Sequence, residues 1–132
     1  MTEPTYYVSF WFREVLVPVD GSENSLKALD LAVDFARRYG SRITVLAATH
    51  GDASKIRAAV EARVGGRAPF EFKAVGLDEA TSPANEVLKE VGTGKYDAVI
   101  MGARGLTVSD VNIGSTAMAV VANAPVTVII VR

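Results

Sequence analysis

Apolar runs of strand length alternate with stretches of helical period along this chain, and that alternation restricts its fold more than any other feature. Glu14 to Asp20 (EVLVPVD), Arg42 to Ala48 (RITVLAA), Pro69 to Gly76 (PFEFKAVG), Tyr96 to Gly102 (YDAVIMG) and Pro125 to Arg132 (PVTVIIVR) are rich in β-branched residues and bounded by breakers. They read as strands. Most lack strict apolar and polar alternation, as strands covered on both faces should. Between the first two, Ser22 can cap a helix whose Leu26, Leu29, Val33 and Ala36 share a face and whose stop is Gly40. A second, charged helix is expected from Asp52 to about Val64 with Ile56 and Val60 inward, ended by Gly65-Gly66. The third starts at Ser82-Pro83 and carries Val87, Leu88 and Val91 before Gly92; the fourth follows Gly114 and ends near Asn123.

Right-handed crossovers and short connections fold such an order into an α/β structure. It is an open five-stranded parallel sheet, order 3-2-1-4-5, with helices on both faces, a Rossmann-like arrangement. With 132 residues and 49% hydrophobic content the chain is expected to form one domain over 1–132. Residues 1–12 stand outside the scheme. Tyr6, Tyr7, Phe10, Trp11 and Phe12 make this an aromatic extension, read either as an added edge strand or subunit contact, or as an extension of the first strand packed on its own domain.

Composition narrows the function classes. The net charge of -1 leaves no cationic excess for nucleic acid or a membrane surface, so any phosphate site must be local. The absence of cysteine excludes disulfides, thiolate metal sites and thiol catalysis, and makes the cytoplasm the default location. Glu3 and Pro4 precede the apolar stretch Tyr6 to Phe12, a poor signal peptide that is too short to span a bilayer.

In a sheet of order 3-2-1-4-5 the chain reverses direction between strands 1 and 4, and ligands bind at the carboxyl ends of those strands, here Asp20 and Gly102. Neither a Walker-type phosphate loop nor a strand-linked G-x-G-x-x-G occurs. Gly102-Ala103-Arg104-Gly105 instead follows strand 4, and after eight intervening residues Gly114-Ser115-Thr116 opens a helix. The glycines permit a tight turn and close ligand approach, while the helix start directs N–H groups and a positive dipole into the same crevice. Simple turn glycines and a Ser115 helix cap account for the same residues equally well. Asp20 is likewise open to two readings, a carboxylate for ribose hydroxyls or a cap of the following helix.

VLVPVDGSENSLKALDLAVDFA, YDAVIMGARG and GSTAMAVVANAPVTVIIVR together closely resemble the universal stress protein family, from about Glu14 to the C-terminus. Its ATP-binding branch carries G-x-x-G, nine residues, then G-[ST]; Gly102, Gly105, Gly114 and Ser115 match with one residue fewer. The resemblance implies that Asp20 binds ribose, that backbone near Pro18, Val19 and Ala48 flanks adenine, and that Met101 lines the nucleotide's side. It further implies that Gly102, Gly105, Gly114, Ser115 and Thr116 hold the phosphates, with Arg104 the basic residue of the element. The deletion falls between Leu106 and Ile113, beside Asp110, whose charge would oppose a triphosphate if it faced the site. The connection between strands 2 and 3 is also shorter than in many members. Val126 to Val131 would pair with its copy across a two-fold axis, giving a homodimer.

The implied function is a regulatory protein that binds ATP, ADP or AMP, with Mg2+ or Mn2+ held through the phosphates and with slow or no hydrolysis. The alternative is a dimeric interaction protein of the same fold that binds no nucleotide, which the shortened loop favours. An enzyme acting on adenylated substrates would need a further catalytic group. His50, without companions for a zinc site, reads as structural or exposed. Asp78 and Glu79 read as hydrated loop acids, and Lys55, Arg57 and Arg63 as a solvated helix face.

Overall fold

Five parallel strands in the order β3-β2-β1-β4-β5 form the sheet of this computed structural model, which describes residues 12–105 and 113–132. The strands are β1 (Glu14–Pro18), β2 (Arg42–Thr49), β3 (Phe70–Gly76), β4 (Ala98–Gly102) and β5 (Thr127–Val131). The helices are α1 (Glu23–Tyr39), α2 (Ser54–Val64), α3 (Pro83–Val91) and α4 (Ser115–Asn123). The expected class, strand order and helix placement are all found. The aromatic run before Phe12, and the segment 106–112 with Asp110, lie outside the described residues.

Two apolar layers sandwich the sheet. Val15, Val17, Ile43, Val45 and Ile100 meet Leu29 and Val33 of α1 and Val60 and Val64 of α2. Leu16, Leu46, Val99 and Met101 meet Val87 and Val91 of α3 and Ala117 and Val120 of α4. Because β1 and β4 contribute to both layers, their sequences run apolar without alternation, whereas β3 at the edge alternates half-buried and exposed positions.

Local chemistry sets most boundaries. Ser22 Oγ accepts from Ser25 N–H at 3.2 Å, Ser82 Oγ accepts from Asn85 N–H at 3.2 Å, and Gly40 ends α1 with φ 76°. The fourth and fifth strands begin at Ala98 and Thr127 rather than at the expected Tyr96 and Pro125, and two further boundaries differ for visible reasons. The second helix begins at Ser54, not Asp52, because the Asp52 carboxylate accepts the Ser54 N–H (3.0 Å) and hydroxyl (2.7 Å) in a turn ahead of the helix. The first strand stops at Pro18: Val19 N–H still reaches Leu46 O at 2.9 Å, but Asp20 leaves the ladder and accepts Ser22 N–H at 3.0 Å.

Arg63 departs from the solvated-face expectation. Its guanidinium donates to Glu23 at 2.7 Å and to Asp30 at 2.9 Å, tying α2 to α1, while Arg57 lies 5.2 Å over the Phe72 ring. The Arg63 hydrogen bond holds the Glu23 carboxyl below its usual range. A depressed carboxyl stabilises above its unfolded pKa, roughly 4.3, and loses that contribution as pH falls through the folded value. Arg63→Gln should therefore lower the melting temperature by a few degrees at neutral pH and low salt, and the difference should close in concentrated salt or acid. A salt-independent loss would assign Arg63 a packing role instead.

Candidate functional site

Strands β1 and β4 lie side by side, with Val15 opposite Ala98 and Leu16 opposite Val99, and the chain leaves them toward opposite edges of the sheet. A crevice opens beyond their carboxyl ends, as the switch-point rule requires. Its cavity measures about 520 Å3. All eleven residues singled out from sequence line it, from Pro18, Val19, Asp20 and Ala48 on one side to Met101, Gly102, Arg104 and Gly105, with Gly114, Ser115 and Thr116 closing it.

Part of the crevice lining is apolar. Pro18, Ala48 and Met101 are joined there by Leu46 and Val87, side chains that offer dispersion contact to a flat ring but no competing hydrogen bonds. Polar groups make up another part, among them Asp20, whose Oδ1 accepts Ser22 N–H and whose N–H meets Ser25 Oγ at 3.4 Å. Asp20 is thus part of the α1 entry turn while still lining the cavity. The cap of α1 itself is Ser22, so Asp20 braces the turn before the helix rather than capping it.

The glycines divide by role. At Gly102, which is buried, a Cβ would stand 2.9 Å from the backbone C and O of Asn24, so only glycine lets α1 approach the end of β4 this closely. A Cβ at Gly105 would press into the Asp20 carboxylate. Gly114 is different: its φ of -75° suits any residue and its Cβ would meet Ala103 O at an ordinary 3.5 Å. Gly114 is also the N-cap of α4, with Ser115 already inside the helix, which removes the Ser115 cap reading, and no side-chain cap is found among the described residues. Its first-turn N–H groups, from Ser115 to Ala117, belong to residues that line the cavity.

Asn24, which does not line the cavity but bonds to Arg104, which does, was not legible in the sequence. Its Oδ1 accepts Arg104 N–H at 2.7 Å and its Nδ2 donates to Val131 O at 3.0 Å, partners 80 and 107 positions away, so no local pattern announces it. Pro83 and Val87 also reach the crevice from α3. They could have been found by applying the carboxyl-end rule to the loop after β3.

Other candidates fall outside. His50 is exposed and does not line the cavity. Asp78 is spent on its own turn, accepting Ala80 N–H at 2.8 Å. No group of three or more His, Asp or Glu suited to a metal occurs among the described residues. Burial opposes ionisation of Glu90, but Lys73 and the Tyr96 hydroxyl, each at 2.6 Å, outweigh it and hold the carboxyl below its usual range. None of these three residues lines the crevice.

The Universal stress protein family model matches residues 12–132. A universal stress protein encoded in the 3' region of a QAH/OAS sulfhydrylase of Thermus aquaticus is 30% identical, covering 92% of this chain and 99% of its own. A universal stress protein in complex with cAMP superposes with a TM-score of 0.74 at 24% identity, covering 92% of this chain and 97% of its own. The universal stress protein of Archaeoglobus fulgidus in complex with dAMP does so with 0.72 at 17% identity, covering 92% and 98%.

Proposed function

We propose that this chain, which belongs to the universal stress protein family, binds an adenine nucleotide in the crevice at the carboxyl ends of β1 and β4. One observation carries the reading: apolar side chains, a carboxylate and the N-terminus of α4, whose N-cap is a glycine, converge on one cavity, the three chemistries that a base, a ribose and a phosphate chain require. The cAMP and dAMP complexes of related folds support the ligand class.

In this reading the chain belongs with the ATP-binding members. Pro18, Val19 and Ala48 flank adenine, Asp20 accepts from ribose hydroxyls, and Gly102, Gly105, Gly114, Ser115 and Thr116 surround the phosphates with Arg104 at the rim. Mg2+ or Mn2+ is held through the phosphate oxygens. The carboxylate of the described lining, Asp20, is already engaged by Ser22 N–H, so the reading is one of binding with slow or no hydrolysis. The eight-residue interval from Gly105 to Gly114 favours the other reading, a stress or interaction protein without nucleotide.

Calorimetric titration with ATP and AMP, with and without magnesium, separates the two. Saturable heat from ATP at micromolar to submillimolar concentration is expected; no heat from any nucleotide at millimolar concentration would overturn the nucleotide reading.

We further infer a homodimer through β5. The edge strand keeps half-buried apolar side chains from Val128 to Val131, and Met118 and Val121 of the neighbouring α4 are 55% and 50% exposed. Sedimentation equilibrium should give twice the 14.0 kDa chain mass. A monomer mass at every concentration would overturn it.

A further inference from the structure

We propose that Asn24 is a positioning residue that selects the phosphate-bearing form of the ligand by fixing the turn after β4. The inference rests on the nucleotide reading above and adds a residue and a specificity to it. Asn24 lies in the first turn of α1, where capping is already complete: Ser22 is the N-cap, its Oγ accepts Ser25 N–H, and Ser25 Oγ returns to Ser22 O at 2.9 Å. The Asn24 amide is therefore not needed by its own helix. It is used across the chain instead.

Both ends of the amide are committed to elements that meet only in the folded protein. Oδ1 takes the Arg104 N–H at 2.7 Å, and Nδ2 gives to Val131 O at 3.0 Å. Val131 O also accepts Ala103 N–H at 2.8 Å, and Ala103 O accepts the N–H of Gly114, the N-cap of α4, at 2.7 Å. Asn24, Val131, Ala103, Arg104 and Gly114 thus form one continuous set of hydrogen bonds joining α1, β5, the turn after β4 and the start of α4. Against it Gly102 leaves no room for a side chain, because its Cβ would meet the Asn24 backbone at 2.9 Å.

This set bears on one part of the crevice only. The apolar slot of Pro18, Ala48 and Met101 is built by β1, β2 and β4, whose ladders do not pass through Asn24. The turn Ala103 to Gly105 and the N-cap Gly114 do depend on it. Removing the amide leaves the base slot in place and loosens the groups expected around phosphate, so the effect should scale with the phosphates on the ligand. A residue that merely stabilised the fold would weaken all ligands alike.

The test uses the whole chain and its Asn24→Ala variant, with ATP, AMP and adenosine as calorimetric probes, and hydrogen exchange at the Arg104 and Gly114 amides without ligand. We expect the variant to lose about ten-fold in ATP affinity, less in AMP affinity, and under about two-fold in adenosine affinity. Exchange at Arg104 and Gly114 should quicken while amides of β1 and β2 keep their protection. Equal losses for ATP and adenosine, or unchanged exchange at Arg104 and Gly114, would overturn the positioning role. If wild type binds adenosine but not ATP, or binds neither, the nucleotide reading fails together with the selection, and the exchange data alone then report what Asn24 holds.

Discussion

Replacing Gly102 by valine should lower the unfolding free energy by at least about 3 kcal/mol, seen as a fall of roughly 10 °C in melting temperature. Gly102 ends the buried strand β4, and even a methyl group there would stand 2.9 Å from the backbone carbonyl of Asn24. Backbone cannot yield as a side chain does, so α1 would have to move off β4. The displacement would strike the hydrogen bond from Arg104 N–H to Asn24 Oδ1 at the same time. Gly105→Ala offers the contrast, since its added carbon meets the end of the Asp20 side chain. It should cost much less stability and act instead on ligand affinity. Circular dichroism melts of the two variants check the ordering, and equal losses would show that the close approach of Gly102 is not what holds α1 in place.

Gly114→Val should do the opposite, keeping the fold and losing the nucleotide. Its backbone angles, φ -75° and ψ 169°, suit any residue, and the nearest atoms to an added Cβ are Ala103 O at 3.5 Å and Arg104 Cα at 3.7 Å. Valine is a poor N-cap compared with glycine, a penalty of about 1 kcal/mol or less. The branched side chain, however, would fill space between the turn after β4 and the first turn of α4, where the phosphates are proposed to sit. ATP affinity should drop about 100-fold, close to ~3 kcal/mol. A variant that melts near wild type and binds ATP equally well would remove the phosphates from this end of the crevice.

The fold was largely legible because its determinants are local. Ser22, Gly40, Ser82 and Pro83 act within a turn of where they stand, and the apolar runs of β1 and β4 reflect burial on both faces. Two of the misplaced boundaries, Asp52 for Ser54 and Asp20 for Pro18, are carboxylates that cap a turn rather than open or extend an element. The candidate site was legible to the extent that a switch point follows from strand order alone. Beyond that it depends on tertiary approach: Asn24 finds partners far along the chain, Val87 reaches the crevice only because α3 packs beneath it, and Arg63 becomes a link between helices only once α2 lies on α1. No periodicity encodes such meetings.

Adenine nucleotide in the β1 and β4 crevice is the central claim, and a nitrogen-15 heteronuclear titration of the whole chain with ATP and magnesium tests it most directly. Saturable shifts should concentrate at Val19, Asp20, Gly102 to Gly105 and Ser115 to Ala117, residues that line the cavity. Shifts that cluster away from these amides, or none at millimolar ATP, would contradict it.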